Sequence, residues 1–107
     1  MRRLHTRGFL TPLHRADHFK NHGARLGILV EEEYELFADD FLRNPCPSSA
    51  VEFTRRWNGD LVRYDQIADV FAVLRKDAFI KTCYRPDPAF HGELTNLDYY
   101  WSEEAKK

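Results

Sequence analysis

Two cysteines in 107 residues are too few to staple a small domain, and Cys46 and Cys83 lie far outside CxxC spacing. A disulfide scaffold is therefore excluded, and two buried or half-buried thiols are expected instead. No apolar run reaches the ~18 residues that a membrane helix needs, so no membrane segment is expected. The opening "MRRLHTRGFLTPLHRADHF" is basic but has no apolar h-region and no small-residue cleavage site, and no signal peptide is expected. Internal repeats and low-complexity segments are absent. Neither sign of charge dominates, since the formal net charge is −1. Polyanion binding cannot be argued from net charge and has to rest on local basic segments.

What the chain does have is aromatic weight: eight Phe, five Tyr and two Trp, with 43% of residues apolar. That suffices for one folded domain with a modest core over residues 1–107. The charge is also polarised along the chain. Residues 1–27 carry +5, residues 31–43 carry −5, residues 50–86 carry +2 and residues 87–107 carry −3.

Residues 1–12 read as irregular, punctuated by Gly8 and Pro12. Thr11-Pro12 can cap and open a helix over Leu13–Asn21 that stops at Gly23. In "EEEYELFADDFLRN", Tyr34, Phe37, Ala38, Phe41 and Leu42 make one apolar helical stripe. Glu31, Glu32 and Glu33 suit the start of that helix and Arg43 its end, with Asn44-Pro45 stopping it. The acidic run is expected to be a solvated face. After Pro47 the periodicity changes to that of strands. "AVEFTRRW" alternates, and Asn58-Gly59 signals a type I′ hairpin. "DLVRYD", "VFAVLR" and "AFIKTCYRP" follow, separated by turns at "QIAD" and Lys76-Asp77. The expected fold is α+β: N-terminal helices packed on one face of a four-stranded antiparallel meander. The tail 87–107, with Tyr99, Tyr100 and Trp101, is expected to pack on the domain.

His14, His18 and His22 recur every four residues and share a helix face. His18 and His22 have the i, i+4 spacing of H-E-x-x-H zinc ligands, but Phe19 stands in the glutamate position and Lys20 brings a positive charge. No metal is therefore expected at these residues. Acid–base chemistry suits these residues better. RNA can be cleaved without metal by its own 2′-hydroxyl, given a base, an acid and cations for the phosphorane. One cluster of such groups is His18, Lys20 and His22. Another is "KTCYRP", where strict alternation sets Thr82 and Tyr84 on one side and Lys81, Cys83 and Arg85 on the other. Arg63 and Asp65 sit on the preceding "LVRYD" strand. The competing class is a non-catalytic module binding RNA or a protein on the same basic face. A metal-dependent DNA nuclease using Asp17 and Asp65 ranks last.

The ordered set "HFKNHG", Tyr34-Ala38-Phe41, "NGDLVRYD", Phe71-Val73 and "TCYRP" resembles C-terminal toxin domains of bacterial polymorphic and contact-dependent toxins. These belong to the barnase–EndoU–colicin–RelE-like ribonuclease group. The resemblance spans residues 18–101, and the tail "FHGELTNLDYYW" is similar too. It departs at Cys83, where the motif has an aromatic residue. The resemblance implies helices followed by a four-stranded antiparallel sheet, and a metal-independent RNA endonuclease, often tRNA-directed, with no cofactor. It also implies a cognate immunity protein and action in the bacterial cytoplasm after delivery as part of a larger toxin. Carried over by position, His18 and His22 transfer protons, and Thr82 and Arg85 contact phosphate. Arg63 and Tyr84 assist in binding RNA, Asp65 orients a neighbour or closes a turn, and His14 is a surface bystander; Lys20 and Lys81, as cations of the two clusters, are expected to bind RNA as well.

Overall fold

Thr11 and Pro12 open the first helix because the Thr11 hydroxyl accepts from the His14 amide at 3.0 Å while proline occupies the first turn. The computed structural model describes residues 4–43 and 45–105, so Asn44, expected to stop the second helix, lies outside the described residues. The element order is α1 (Pro12–His22), α2 (Glu31–Phe41), β1 (Ala50–Thr54), β2 (Leu61–Asp65), β3 (Val70–Leu74), β4 (Ile80–Tyr84), α3 (Pro88–His91) and α4 (Asn96–Ala105). The fold is α+β, and the strands form an antiparallel meander in the order β1-β2-β3-β4.

Gly23 ends α1 without the left-handed turn common after helices. Its backbone stays right-handed, and glycine is needed there because a Cβ would lie 2.7 Å from the Phe19 ring. A short 3₁₀ turn at Ala24–Leu26 follows, and Gly27 supplies the positive φ.

On one sheet face, Val70, Ala72, Ile80 and Cys83 pack against Tyr34, Ala38, Phe41 and Leu42 of the α2 segment. The apolar stripe of α2 is thus the core stripe. Its acidic start is not wholly solvated: Glu32 and Glu33 are exposed, but Arg15 of α1 pairs with Glu31 at 2.9 Å and with Glu35 at 3.4 Å. Both cysteines are free, with Cys83 buried beneath α2.

The opposite face differs from the one-sided packing expected. Phe53, Val62, Tyr64, Phe71 and Val73 pack under Tyr100, with Leu97 and Tyr99 beside it, so α4 covers this face. The tail packs on the domain as a helix. Burying Tyr100 stabilises that helix by about 1.5–3 kcal/mol, and the ring is 1% exposed.

The β1–β2 hairpin forms where Asn58-Gly59 marks it, but not with the two-residue type I′ turn, which needs positive φ at both central residues. Gly59 has φ +78°, whereas Asp69 and Ala78 are the only non-glycine residues with positive φ among the described residues. Arg55 N–H instead donates to the Asp60 carbonyl, closing a four-residue loop. Trp57, expected on a strand face, sits in this loop and is exposed.

Two further features shape the site. Segment 7–9 lies along the β4 edge: Arg7 N–H donates to Ala78, Ile80 N–H donates to Gly8, and Phe9 bridges Ile80 in parallel. Fully buried Asp39 anchors this segment by accepting from the His5 and Thr6 amides and the Thr6 hydroxyl. The second feature is a break in the β3–β4 ladder, where Leu74 pairs with Ile80 and Val73 with Thr82. Lys81 is the extra residue of that bulge.

Candidate functional site

The bulge decides what faces the cleft beside β4. With one residue unpaired, Ile80 and Cys83 both point into the α2-side core, and Lys81 is released from the core-side set that strict alternation gave it. Lys81 and Thr82 then both line a cleft of about 350 Å³ on the α4 side of the sheet. Phe71, Val73 and Tyr84 form its apolar floor, and His14 and His18 of α1 stand on one wall. Arg55, Tyr99 and Glu103 complete it.

Helical spacing puts the three histidines in a column, with ring centroids 4.5 Å apart for His14–His18 and 5.5 Å for His18–His22. Phe9 backs the column, stacking on His18 at 5.8 Å and meeting His14 edge-on at 5.5 Å. Thr82 Oγ1 lies 3.1 Å from His18 Nδ1, joining residues 64 positions apart. Burial pushes the His18 imidazole down to about 4, helped by the neighbouring His14 and His22 and opposed by Asp17. His18 is therefore neutral at pH 7. Burial also lowers His22.

Two cations at the mouth share one carboxylate. Lys81 Nζ is 3.0 Å, and an Arg55 guanidinium nitrogen 3.8 Å, from Oδ2 of buried Asp60. On the far wall, Tyr84 and Tyr99 join hydroxyl to hydroxyl at 2.9 Å. Burial pushes both phenols up, and Glu103 beside them adds to the effect.

The Tyr84–Tyr99 pair also borders a second cleft of about 380 Å³, which His22 and Arg85 line. His18 and Thr82 thus meet, while His22 and Arg85 belong to the adjoining cleft. The Arg85 guanidinium is engaged with the carbonyls of Asp69, Ala68 and Arg25 at 2.9–3.1 Å, bracing the β2–β3 turn against the segment after α1. Lys20 is exposed and lines neither cleft, because it lies half a turn from His18 and His22 on α1.

Arg63 is fully buried on the α2 side, donating to the carbonyls of Phe41 and Arg43 at 2.8 Å, and so caps the end of α2 away from both clefts. Asp65 closes the β2–β3 turn, accepting from the Ile67 and Ala68 amides and the Ser49 hydroxyl. Burial would raise this carboxyl, but those donors hold it below its usual value.

Sequence reasoning missed four cleft residues: His14, Arg55, Tyr99 and Glu103. The position of His14 four residues before His18 is the available signal, Tyr99 lies in the tail that shares the resemblance, and Arg55 and Glu103 arrive through positions that the motifs do not mark. Among the described residues, the grouping with metal-ligand spacing is His5, Asp39 and Asp40, separate from the histidine column. No helix among them is long and apolar enough to cross a membrane.

The histidine column carries a stability prediction. Unfolded histidine titrates near 6.5, so between pH 6.5 and about 4 the unfolded chain binds protons that folded His18 refuses. Its contribution is fully present above pH 6.5 and is lost as pH falls towards 4. Urea midpoints are expected to fall across that window in the wild type, and less steeply in His18→Asn. A wild-type midpoint that holds level from pH 6.5 to 4, or an undiminished slope in the variant, overturns the assignment.

No protein-family model matches the chain, and no curated protein matches it in sequence.

Proposed function

We propose that the protein is a metal-independent RNA endonuclease and that the His18–Thr82 cleft is its active site. The observation that carries this reading is a neutral, oriented imidazole in a cleft that also holds two cations and a second histidine. In the tautomer whose Nδ1–H donates to Thr82 Oγ1, Nε2 is unprotonated and acts as the general base. It takes the proton of the ribose 2′-hydroxyl, whose oxygen attacks the adjacent phosphorus. The P–O5′ bond breaks, and His14 gives a proton to the leaving 5′-oxygen. The products are a 2′,3′-cyclic phosphate and a 5′-hydroxyl. Arg55 and Lys81 face the charge that develops on the phosphorane. The toxin-domain resemblance extends the proposal to a tRNA target and a cognate immunity protein.

The test is incubation of the purified protein with total RNA in excess EDTA. Discrete cleavage with cyclic-phosphate ends is expected, and a single 2′-deoxy substitution at the cut site is expected to abolish it. Binding without cleavage favours the non-catalytic module. Cleavage that EDTA abolishes refutes the metal-independent mechanism.

A further inference from the structure

We propose that the second cleft is a nucleobase subsite, taking by stacking the planar ring of a nucleotide next to the scissile phosphate. Its place next to the scissile phosphate rests on the ribonuclease reading. The stacking site itself rests on separate observations.

Its walls are aromatic pairs. His22 leans on Tyr84, tilted at 30° with centroids 5.1 Å apart, and His91 stacks on Tyr99 at 4.5 Å and 16°. The Tyr84–Tyr99 hydroxyl contact joins the two pairs. His91 is fixed in place: its Nδ1 accepts from the Glu93 amide, which leaves Nε2–H to donate to Asn96 Oδ1.

Phe90, the neighbour of His91 on α3, also lines the cleft and is 92% exposed. α3 carries it, with the Asp87 side chain accepting from Ala89, Pro88 opening the turn and Gly92 closing it in the left-handed region. A capped turn that leaves a phenyl ring in water beside an aromatic wall is suited to a flat ligand. A volume of about 380 Å³ is within the range of small-ligand clefts.

The polar groups at the rim suit a nucleotide better than a purely apolar ring. Asn21 offers an amide to a base edge. Arg25 donates to the carbonyls of Arg85 and Pro86, so both guanidinium groups at this rim are braced by backbone. Arg25 also pairs with Asp87 at 3.9 Å and Arg85 with Asp69 at 3.6 Å, and each still has N–H groups beyond these contacts for a phosphate, because a guanidinium has five. The His18 and His22 rings, 5.5 Å apart, open into the two clefts. One strand can therefore lay its reacting sugar in the first cleft and its next base in the second.

The experiment uses a single-stranded 2′-O-methyl RNA hexamer, which has no hydroxyl for cleavage, with 2-aminopurine at one position. Stacking quenches this base. Quenching is expected on binding to the full chain, and Phe90→Ala and His22→Ala are each expected to weaken binding about tenfold. An abasic residue at that position should weaken wild-type binding to the same degree and Phe90→Ala no further. Because Phe90 is exposed, its variant should keep the wild-type circular dichroism spectrum. No binding, or equal binding of the abasic hexamer, overturns the subsite. Quenching by His18→Asn, or by a protein that leaves ordinary RNA intact, still supports the subsite; the latter result counts only against the ribonuclease reading. A hexamer bound with no dependence on Phe90 or His22 counts only against the subsite.

Discussion

His18→Asn is expected to lower RNA cleavage by about 10²–10⁴-fold, the usual contribution of a positioned general base, with the fold retained. Asparagine can place an amide where Nδ1 sits, so the contact with Thr82 at 3.1 Å has a substitute. Nothing replaces the Nε2 lone pair. Rates on a defined RNA measure the loss. A companion measurement separates a base from a merely structural histidine, namely the acidic limb of kcat/KM against pH. A base acts only when deprotonated, and burial pushes His18 down to about 4. The limb should therefore fall near pH 4, not near the ~6.5 of an unperturbed histidine. Cleavage by His18→Asn at the wild-type rate would falsify the assignment.

Arg63→Met is expected to destabilise the protein by about 3 kcal/mol, and Arg63→Ala by about 5 kcal/mol. The side chain is 0% exposed. It donates to Phe41 and Arg43 and pairs with Glu52 at 3.2 Å. Methionine keeps the volume but leaves the two carbonyls at the end of α2 without their donor, and alanine adds a cavity. Arg63→Lys should recover little, because a single ammonium cannot span both carbonyls and Glu52. Urea unfolding gives the stabilities. Where the variant is still folded, RNA affinity should match the wild type. A stable Arg63→Met with reduced RNA affinity would return this residue to the phosphate-binding set.

The contrast between these residues shows what was legible in the sequence. The meander was, because period-two alternation and turn residues are local properties. The stripe of α2 was legible for the same reason. The role of Arg63 was not, since position on a strand does not reveal that a helix end lies above it. Alternation presumes an unbroken ladder and so puts Lys81 on the wrong side. Ile80 and Cys83, three residues apart and both in the core, fit only with a bulge between them. The tail shows an aromatic cluster, and Leu97, Tyr100 and Trp101 within it have helical spacing. His14 falls outside the motif, yet its i, i+4 relation to His18 puts the two on one face. Part of the candidate site, His18 with Thr82, was thus visible as two separated segments. Arg55, Tyr99 and Glu103 became visible only through tertiary packing.

The strap of residues 7–9 along β4 has a consequence for how the molecule comes into being. In chain order the histidine helix α1 precedes β4, so a ribosome releases it first. Until β4 emerges, the N-terminal strap has no edge to pair with and His18 has no Thr82. Closing so long a loop is among the slower events in folding. The histidine column therefore waits for its cleft until β4 has been made, and whatever chemistry the cleft performs begins only when α1 and β4 have met.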